Sequence, residues 1–173
     1  MSEGISNKVI DYSVYVRNDG KATKIGDTTS ITLPSVEMLT DSIKGSGIVG
    51  EIDVPTFGQI GSMETEISIR VTNDKYGILI SAYELEYRWV TDVINPANGK
   101  VTTIAHKAFL KVIPKKFDEG KLEPGSAQDG SVSWEVIAYK RIVNGSEILN
   151  IDKLNGIYAI NGVNKLKDVT ANL

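Results

Sequence analysis

Few side chains in this sequence have the types and spacing that chemistry needs: one histidine, several close carboxylates and scattered serines. His106 falls at strand spacing with Ile104, Ala108, Leu110 and Val112, which reads as a partly buried core histidine and not as a ligand or general base. There is no cysteine, so disulfides, thiolate metal sites and cysteine nucleophiles are excluded. A zinc site would then have to rely on carboxylates almost alone, which zinc proteins rarely do. Glu64/Glu66 and Glu84/Glu86 stand two apart, which on a strand turns both groups to one side, as a carboxylate hydrolase or calcium site requires. A solvated strand surface explains the same spacing. Gly45-Ser-Gly47 and Gly58-Gln-Ile-Gly61 resemble phosphate loops only superficially, since neither leads into a Lys-Ser/Thr pair opening a helix. No serine has a nucleophile-elbow context. The expectation is no catalytic residue, no cofactor and no metal site. Trp89, Trp134 and the seven tyrosines read as core or interface anchors, with a carbohydrate- or nucleic-acid-binding platform as the competing use.

The elements that must carry these residues belong to a chain of 173 residues, a length that suits a single domain over 1–173 with a substantial core. Its 41% hydrophobic and 24% charged content is ordinary for a globular protein. Nineteen basic against 22 acidic side chains leave −3, without the basic excess of a protein that grips nucleic acid or an anionic membrane. The opening MSEGISNKVIDYSVYV lacks the basic and apolar regions of a signal peptide, and no apolar run approaches the ~20 residues of a membrane span. A soluble protein made in the cytosol is expected.

The dominant period is two, so the chain reads as mainly β. Ile10, Tyr12, Val14 and Val16 share one face of a first strand. Met63, Thr65, Ile67, Ile69 and Val71 alternate with Glu64, Glu66, Ser68 and Arg70. Tyr83, Leu85, Tyr87 and Trp89 alternate with Glu84, Glu86 and Arg88. Asn95–Gly99 predicts a turn into a strand over 101–113, and Asn144-Gly145 a tight hairpin between 132–143 and 147–152. One short helix is predicted over 74–82 with Asn73 as N-cap, packing through Tyr76, Leu79 and Ile80. Residues 115–130 read as a polar loop.

Residues 34–61 hold five glycines and two prolines among apolar side chains. So long a segment without evident structure is uncommon inside a compact domain, and its apolar content argues against disorder. Two readings stand. One is an extended arm that orders against a neighbouring molecule, which is preferred; the other is a hairpin folded on its own domain. The arm residues are Ile43, Gly45, Gly47, Ile48, Val49, Gly50, Ile52, Val54 and Phe57.

Thr32-Leu33-Pro34, then Gly45-Ser-Gly47-Ile-Val-Gly50 and Glu51-Ile-Asp-Val-Pro55, resemble the major tail tube proteins of contractile-tailed phages and R-type bacteriocins (tailocins). The closing run from Val143-Asn-Gly145 through Ile151-Asp152 and Asn155 to Ile160-Asn-Gly-Val163 is similar to that family's C-terminal pattern. Asn164 stands where the family usually has Asp, and the tail 165–173 lacks its usual arginines. The resemblance implies a β-sandwich or barrel-like tail tube fold with one short helix and a long loop arm. It implies hexameric rings of this chain stacked into a hollow tube, with tail sheath, baseplate and tail terminator proteins as partners. DNA passes as cargo in a phage and ions in a tailocin, without stable membrane association. Assembly is expected in the host cytoplasm, with release by lysis. Strand pairing between subunits would use up exposed edges, and Glu64, Glu66, Glu84 and Glu86 are the expected acidic lumen residues, repelling phosphates. The competing readings are a stand-alone β-sandwich binding module using Trp89 or Trp134, and a hydrolase using one of the glutamate pairs.

Overall fold

The structure, a computed structural model, describes residues 3–173. Most of the described chain is antiparallel strand. The long strands are β1 (Ile5–Asn18), β7 (Glu84–Ile94), β8 (Val101–Asp118) and β9 (Gly130–Val143). Shorter ones are β2 (Lys21–Ile25), β3 (Thr28–Thr32), β4 (Met38–Ile43), β5 (Ile52–Ile60), β6 (Glu64–Ile69), β10 (Ser146–Asp152), β11 (Ile157–Ile160) and β12 (Val163–Asn164). Two short helices are α1 (Tyr76–Ile80) and α2 (Lys167–Ala171).

A ten-stranded sheet folds into two layers because β9 changes partner along its length. Its first half, Gly130–Glu135, pairs with β6, and its second half, Ala138–Val143, pairs with β10 on the same edge. The fork falls at Val136, whose N–H reaches the carbonyl of Met63, and Ile137, whose carbonyl accepts from Lys153. β8 follows β9 through both layers with irregularities at Lys111/Val112 and Pro114/Lys116, where bulges bend the pair. The major layer runs β12-β11-β10-β9-β8-β7-β1-β2. The minor layer is β3, β6, the first half of β9 and the end of β8.

Alternation fills the space between the layers. Thr65, Ile67 and Ile69 from β6 meet Val132, Trp134 and Val136 from β9, and Leu85, Tyr87, Leu110, Val112, Val14 and Val16 face them. Thr65 Oγ1 and Tyr87 OH touch at 2.9 Å across this core, so β6 lies opposite β7. Tyr12 OH donates to the Thr28 carbonyl at 2.9 Å, placing β1 opposite β3. Helix α1 closes one end through buried Leu79, with Tyr76 and Ile80 packed on the core as its stripe predicts.

Several expectations are met and several corrected. The turn at Asn144-Gly145, with φ of 47° and 80°, is the type I′ geometry that Asn-Gly favours. The 95–99 turn also forms, closed by Asn95 and Lys100. Ile10 is exposed, not inward, because the β1–β7 register shifts between Val9 and Asp11 and leaves Ile10 as the extra residue. Val71 lies beyond the end of β6 and is exposed, since the carbonyl of Arg70 is taken by Gln128 and Asp129 of the loop. Tyr83 precedes β7 and turns outward, its hydroxyl bonded to Asp19. The helix is shorter than 74–82: Asn73 Oδ1 accepts the N–H of Lys75, a turn before the helix instead of a cap on it. A second helix, α2, follows in the tail. The polar loop is shorter than 115–130, because Lys116–Asp118 pair with Ser131–Ser133 and leave 119–129 as loop.

The 34–61 segment forms a two-stranded sheet of its own, β4 with β5, attached only at its base. Pro34 is buried at the exit from β3, and Gly61 N–H bonds the Glu37 carbonyl at 2.7 Å. From Leu39 to Phe57 the described side chains are exposed except for half-buried Ile48. The hairpin therefore does not fold back onto its own domain.

Candidate functional site: surfaces for self-assembly

The exposed hairpin carries most of its apolar groups on one side. Pairing of Ile43 with Ile52 and Asp41 with Val54 sets Leu39, Ile43, Ile52 and Val54 on one face. Phe57 leaves from β5 on the other face, and Val49 stands fully exposed at the tip. The tip, 44–51, is closed by Ile48 N–H to the Gly45 carbonyl at 3.1 Å and by Ser42 Oγ on Glu51. Gly47 and Gly50 have φ of 86° and 94°, left-handed positions that the bend requires. A lone two-stranded hairpin is marginal in water, and this one exposes Leu39, Ile43, Val49, Ile52, Val54 and Phe57.

Free strand edges form the second surface. In the minor layer β3 pairs only with β6, leaving its other edge open. β7 runs out opposite Lys111, with one further bond from Val112 N–H to Tyr83, so no described strand covers β8 from Ile113 to Asp118. The minor layer is thus a four-stranded antiparallel sheet open on both sides. Ile113 and Phe117 are exposed along the β8 edge. On the β3 side an apolar groove of about 260 Å³ is lined by Val9, Tyr12, Ile31, Leu33, Tyr87 and Trp89.

The outer faces of the two layers differ in charge. On the minor layer, Glu64 and Glu66 stand opposite Glu135 and Ser133, with Ser68 opposite Ser131. Lys115 projects from the β8 bulge to Glu64 at 2.7 Å and Glu135 at 3.8 Å, and this carboxylate contact raises its pKa. Ser133 Oγ donates to Glu66 at 3.2 Å and Ser62 Oγ to both oxygens of Glu135. Glu84 and Glu86 lie instead on the major layer, on the strand that faces β6 across the core. The structure therefore does not bring the four glutamates onto one surface. Glu86 is only 1% exposed, clamped by Arg17 at 3.0 Å and Arg88 at 2.6 Å. Those guanidiniums also lie over the rings of Phe109 and Tyr15. Glu84 lines a depression with Arg17, Lys111, Lys140 and Asp152. Glu135 is the carboxylate that sequence reading missed. Its place beside Glu64 depends on the β6–β9 pairing of segments about seventy residues apart.

The aromatic and histidine candidates are committed to structure. Trp134 is fully buried, which removes it as a binding platform. Trp89 is half-buried, with His106 stacked on it at 5.2 Å and Arg141 above its ring at 4.2 Å. His106 contacts Thr91 Oγ1 at 2.8 Å and Arg141 Nη2 at 3.3 Å. Because the guanidinium only donates, Nδ1 accepts and Nε2 carries the proton toward Thr91. Burial, and then the Arg141 charge, push the His106 pKa below its ordinary value. Among the described residues no three His, Asp or Glu side chains are placed to hold a metal ion, and no helix is long and apolar enough to cross a membrane.

No curated protein matches the sequence. A chain of an extracellular contractile injection system, the PVC sheath–tube complex in its extended state, is 12% identical, with a TM-score of 0.48, 76% of this chain and 86% of that one being covered. A chain of the anti-feeding prophage baseplate is also 12% identical, with a TM-score of 0.47 and coverages of 80% and 97%. The family model for phage tail tube protein FII matches residues 6–173, nearly the whole sequence. The chain belongs to the phage tail tube protein FII family and is a structural subunit of a tail tube.

Proposed function

We propose that the chain acts as one domain and closes with five identical copies into a ring, and that rings stack into the hollow tube of a contractile particle. The open four-stranded minor layer is the observation that carries this reading. Its strands alternate in direction, and the two open ones, β3 and the end of β8, run oppositely. Rotation about a ring axis preserves each strand's sense relative to that axis. The β8 end of one copy therefore meets β3 of the next in antiparallel orientation, and the alternation continues around the ring. Such head-to-tail contacts are heterologous and closed, and they leave the minor layer no exposed edge.

A closed inner barrel of this kind presents the minor layer's outer face to the lumen: Glu64, Glu66 and Glu135 amid serines, with the Lys115 ammonium held by carboxylates. With Asp118 and Lys116 on the same side, that surface keeps an excess of carboxylates over ammonium groups and so repels phosphates. Glu84 and the buried Glu86 belong to the opposite layer, whose outer face is then the tube exterior, where sheath and baseplate proteins dock. The β4–β5 hairpin, through Leu39, Ile43, Val49, Ile52, Val54 and Phe57, reaches a subunit of the adjoining ring. The work done is mechanical, with no catalysed reaction, and the particle carries either DNA, as a phage, or ions, as a tailocin. It assembles in the host cytoplasm.

Electron microscopy of the concentrated protein, alongside lysate of an induced producer strain labelled with antibody to this chain, tests the reading. Hollow six-fold rings or labelled tubes are expected. A protein that stays monomeric throughout, with antibody marking no tail-like particle, would sink it.

A further inference from the structure

We infer that Phe117 of one copy is the anchor of the ring contact and seats in the apolar groove beside β3 of the next copy. This rests on the ring reading above and names the residues that hold it. Pairing of Phe117 with Val132, and of Pro114 with Trp134, puts Phe117 and Pro114 on the core side of the minor layer, since Val132 and Trp134 are buried there. Ile113, Lys116 and Asp118 pair with Glu135, Ser133 and Ser131 and so take the outer side. Phe117 is nonetheless 59% exposed, because β8 is the last strand of that layer and nothing lies beyond it.

At the other edge, Ile31 pairs with Ile67 and so also points to the core side. The groove opens directly past it, floored by Tyr87 and Trp89 and walled by Val9, Tyr12 and Leu33. When β8 of a neighbour pairs along the open edge of β3, continuity of the sheet requires core-side residues to stay on the core side. The neighbour's Phe117 is then carried into the groove next to Ile31, while its Lys116 and Asp118 join the lumen face. One exposed aromatic ring and one apolar groove, on the same face of two complementary strand edges, thus fill one another. Buried aromatic side chains in central pockets are the usual source of binding energy at protein interfaces.

The chain has no cysteine, so a paired-thiol test is clean. Phe117→Cys and Leu33→Cys are introduced together, and the assembled protein is treated with a short bifunctional maleimide. A covalent ladder rising from dimer to hexamer is expected, whereas an equimolar mixture of the two single variants gives dimers only. Phe117→Ser should raise the concentration needed for assembly roughly ten-fold or more, and Phe117→Leu should restore most of it. Rings that form normally while the double variant gives no ladder would overturn the groove assignment and leave the ring reading intact. A ladder from Leu33→Cys with Phe57→Cys would overturn it in favour of the hairpin as occupant. If the unmodified protein forms no ring at all, the ring reading and the anchor fail together.

Discussion

The contact between Thr65 and Tyr87 ties the two layers together and allows a prediction whose size follows from geometry. Thr65 Oγ1 lies 2.8 Å from the Thr32 carbonyl and 2.9 Å from Tyr87 OH. A carbonyl only accepts, so the threonine proton goes to Thr32 and the tyrosine must donate to Thr65. Tyr87 is fully buried, and burial holds its pKa far above the ordinary phenol value, so the O–H keeps its proton and needs an acceptor. Thr65→Val keeps shape and volume but removes both bonds. The Thr32 carbonyl is on an exposed residue and can turn to water; the Tyr87 hydroxyl cannot. The expected cost is about 2–3 kcal/mol, most of it the unpaired buried hydroxyl. Tyr87→Phe alone leaves Thr65 bonded to Thr32 and should cost about 1 kcal/mol. In the Thr65→Val background the same tyrosine change removes the orphan, so it should be neutral or stabilising. Urea unfolding of dilute monomer, followed by the fluorescence of Trp89 and Trp134, reads these differences as shifts in midpoint at constant slope. An equal cost of Tyr87→Phe in the Thr65→Val background and in the unmodified protein would show that the two hydroxyls are not coupled, and that the layers are held by apolar packing alone.

Four further outcomes are expected. His106 has a pKa held below its ordinary value in the folded protein, so the unfolded chain binds that proton more readily. Its contribution is complete above about pH 6.5 and is lost as pH falls below that value; urea midpoints between about pH 8 and pH 5 should show a fall that His106→Gln removes, and an unchanged slope in the variant would refute it. Glu86→Gln leaves two guanidiniums without a counter-charge, though both are partly solvated; melting should report a loss of about 1–2 kcal/mol, and no loss would mean that the cluster is dispensable. Gly120 has φ of 85° and an added Cβ would strike the Gln128 carbonyl, so Gly120→Ala should cost at least about 1 kcal/mol in the same assay. Deletion of 42–52 with a short Gly-Ser closure should leave the monomer's melting nearly unchanged but stop ring stacking, and normal tubes from this variant would remove the hairpin from the ring-to-ring contact.

Strand periodicity made much of this core legible. Thr65, Ile67 and Ile69, with Leu85 and Tyr87, are buried as the alternation requires, and Asn144-Gly145 turns where its chemistry says. What alternation does not carry is the third dimension. Glu64/Glu66 and Glu84/Glu86 look equivalent in sequence, yet the fork in β9 puts β6 and β7 in opposing layers. Only one pair then joins Glu135, while Glu86 disappears under two arginines. Bulges are equally silent. Ile10 continues the spacing of Tyr12, Val14 and Val16 but is displaced outward by a register shift that depends on the partner strand. Glycine and proline among apolar residues marked 34–61 as fitting no compact element, but its two-stranded pairing was not legible, since Pro55 and Gly58 interrupt any clean strand pattern.

Open edges and exposed apolar groups ordinarily invite aggregation, so in the proposed ring selectivity has to come from how each edge is shaped. The β8 edge contains Pro114, which offers no N–H, and a bulge that pushes Lys115 outward beside Lys116. The β3 edge is five residues long and mostly threonine and serine. The hairpin carries Pro55, a register shift between Met38 and Thr40, and acidic Asp41 and Asp53 among its apolar residues. None is the long, flat, uncharged strand that templates indiscriminate pairing. In the proposed ring, core-side and outer-side residues must stay on their own faces, which disfavours a one-residue slip of either edge. A weak encounter between two free copies then buries little, whereas a preformed ring presents β3 edges, grooves and hairpin sites together. On the proposed ring reading, addition to an existing ring is therefore favoured over nucleation between free copies in solution.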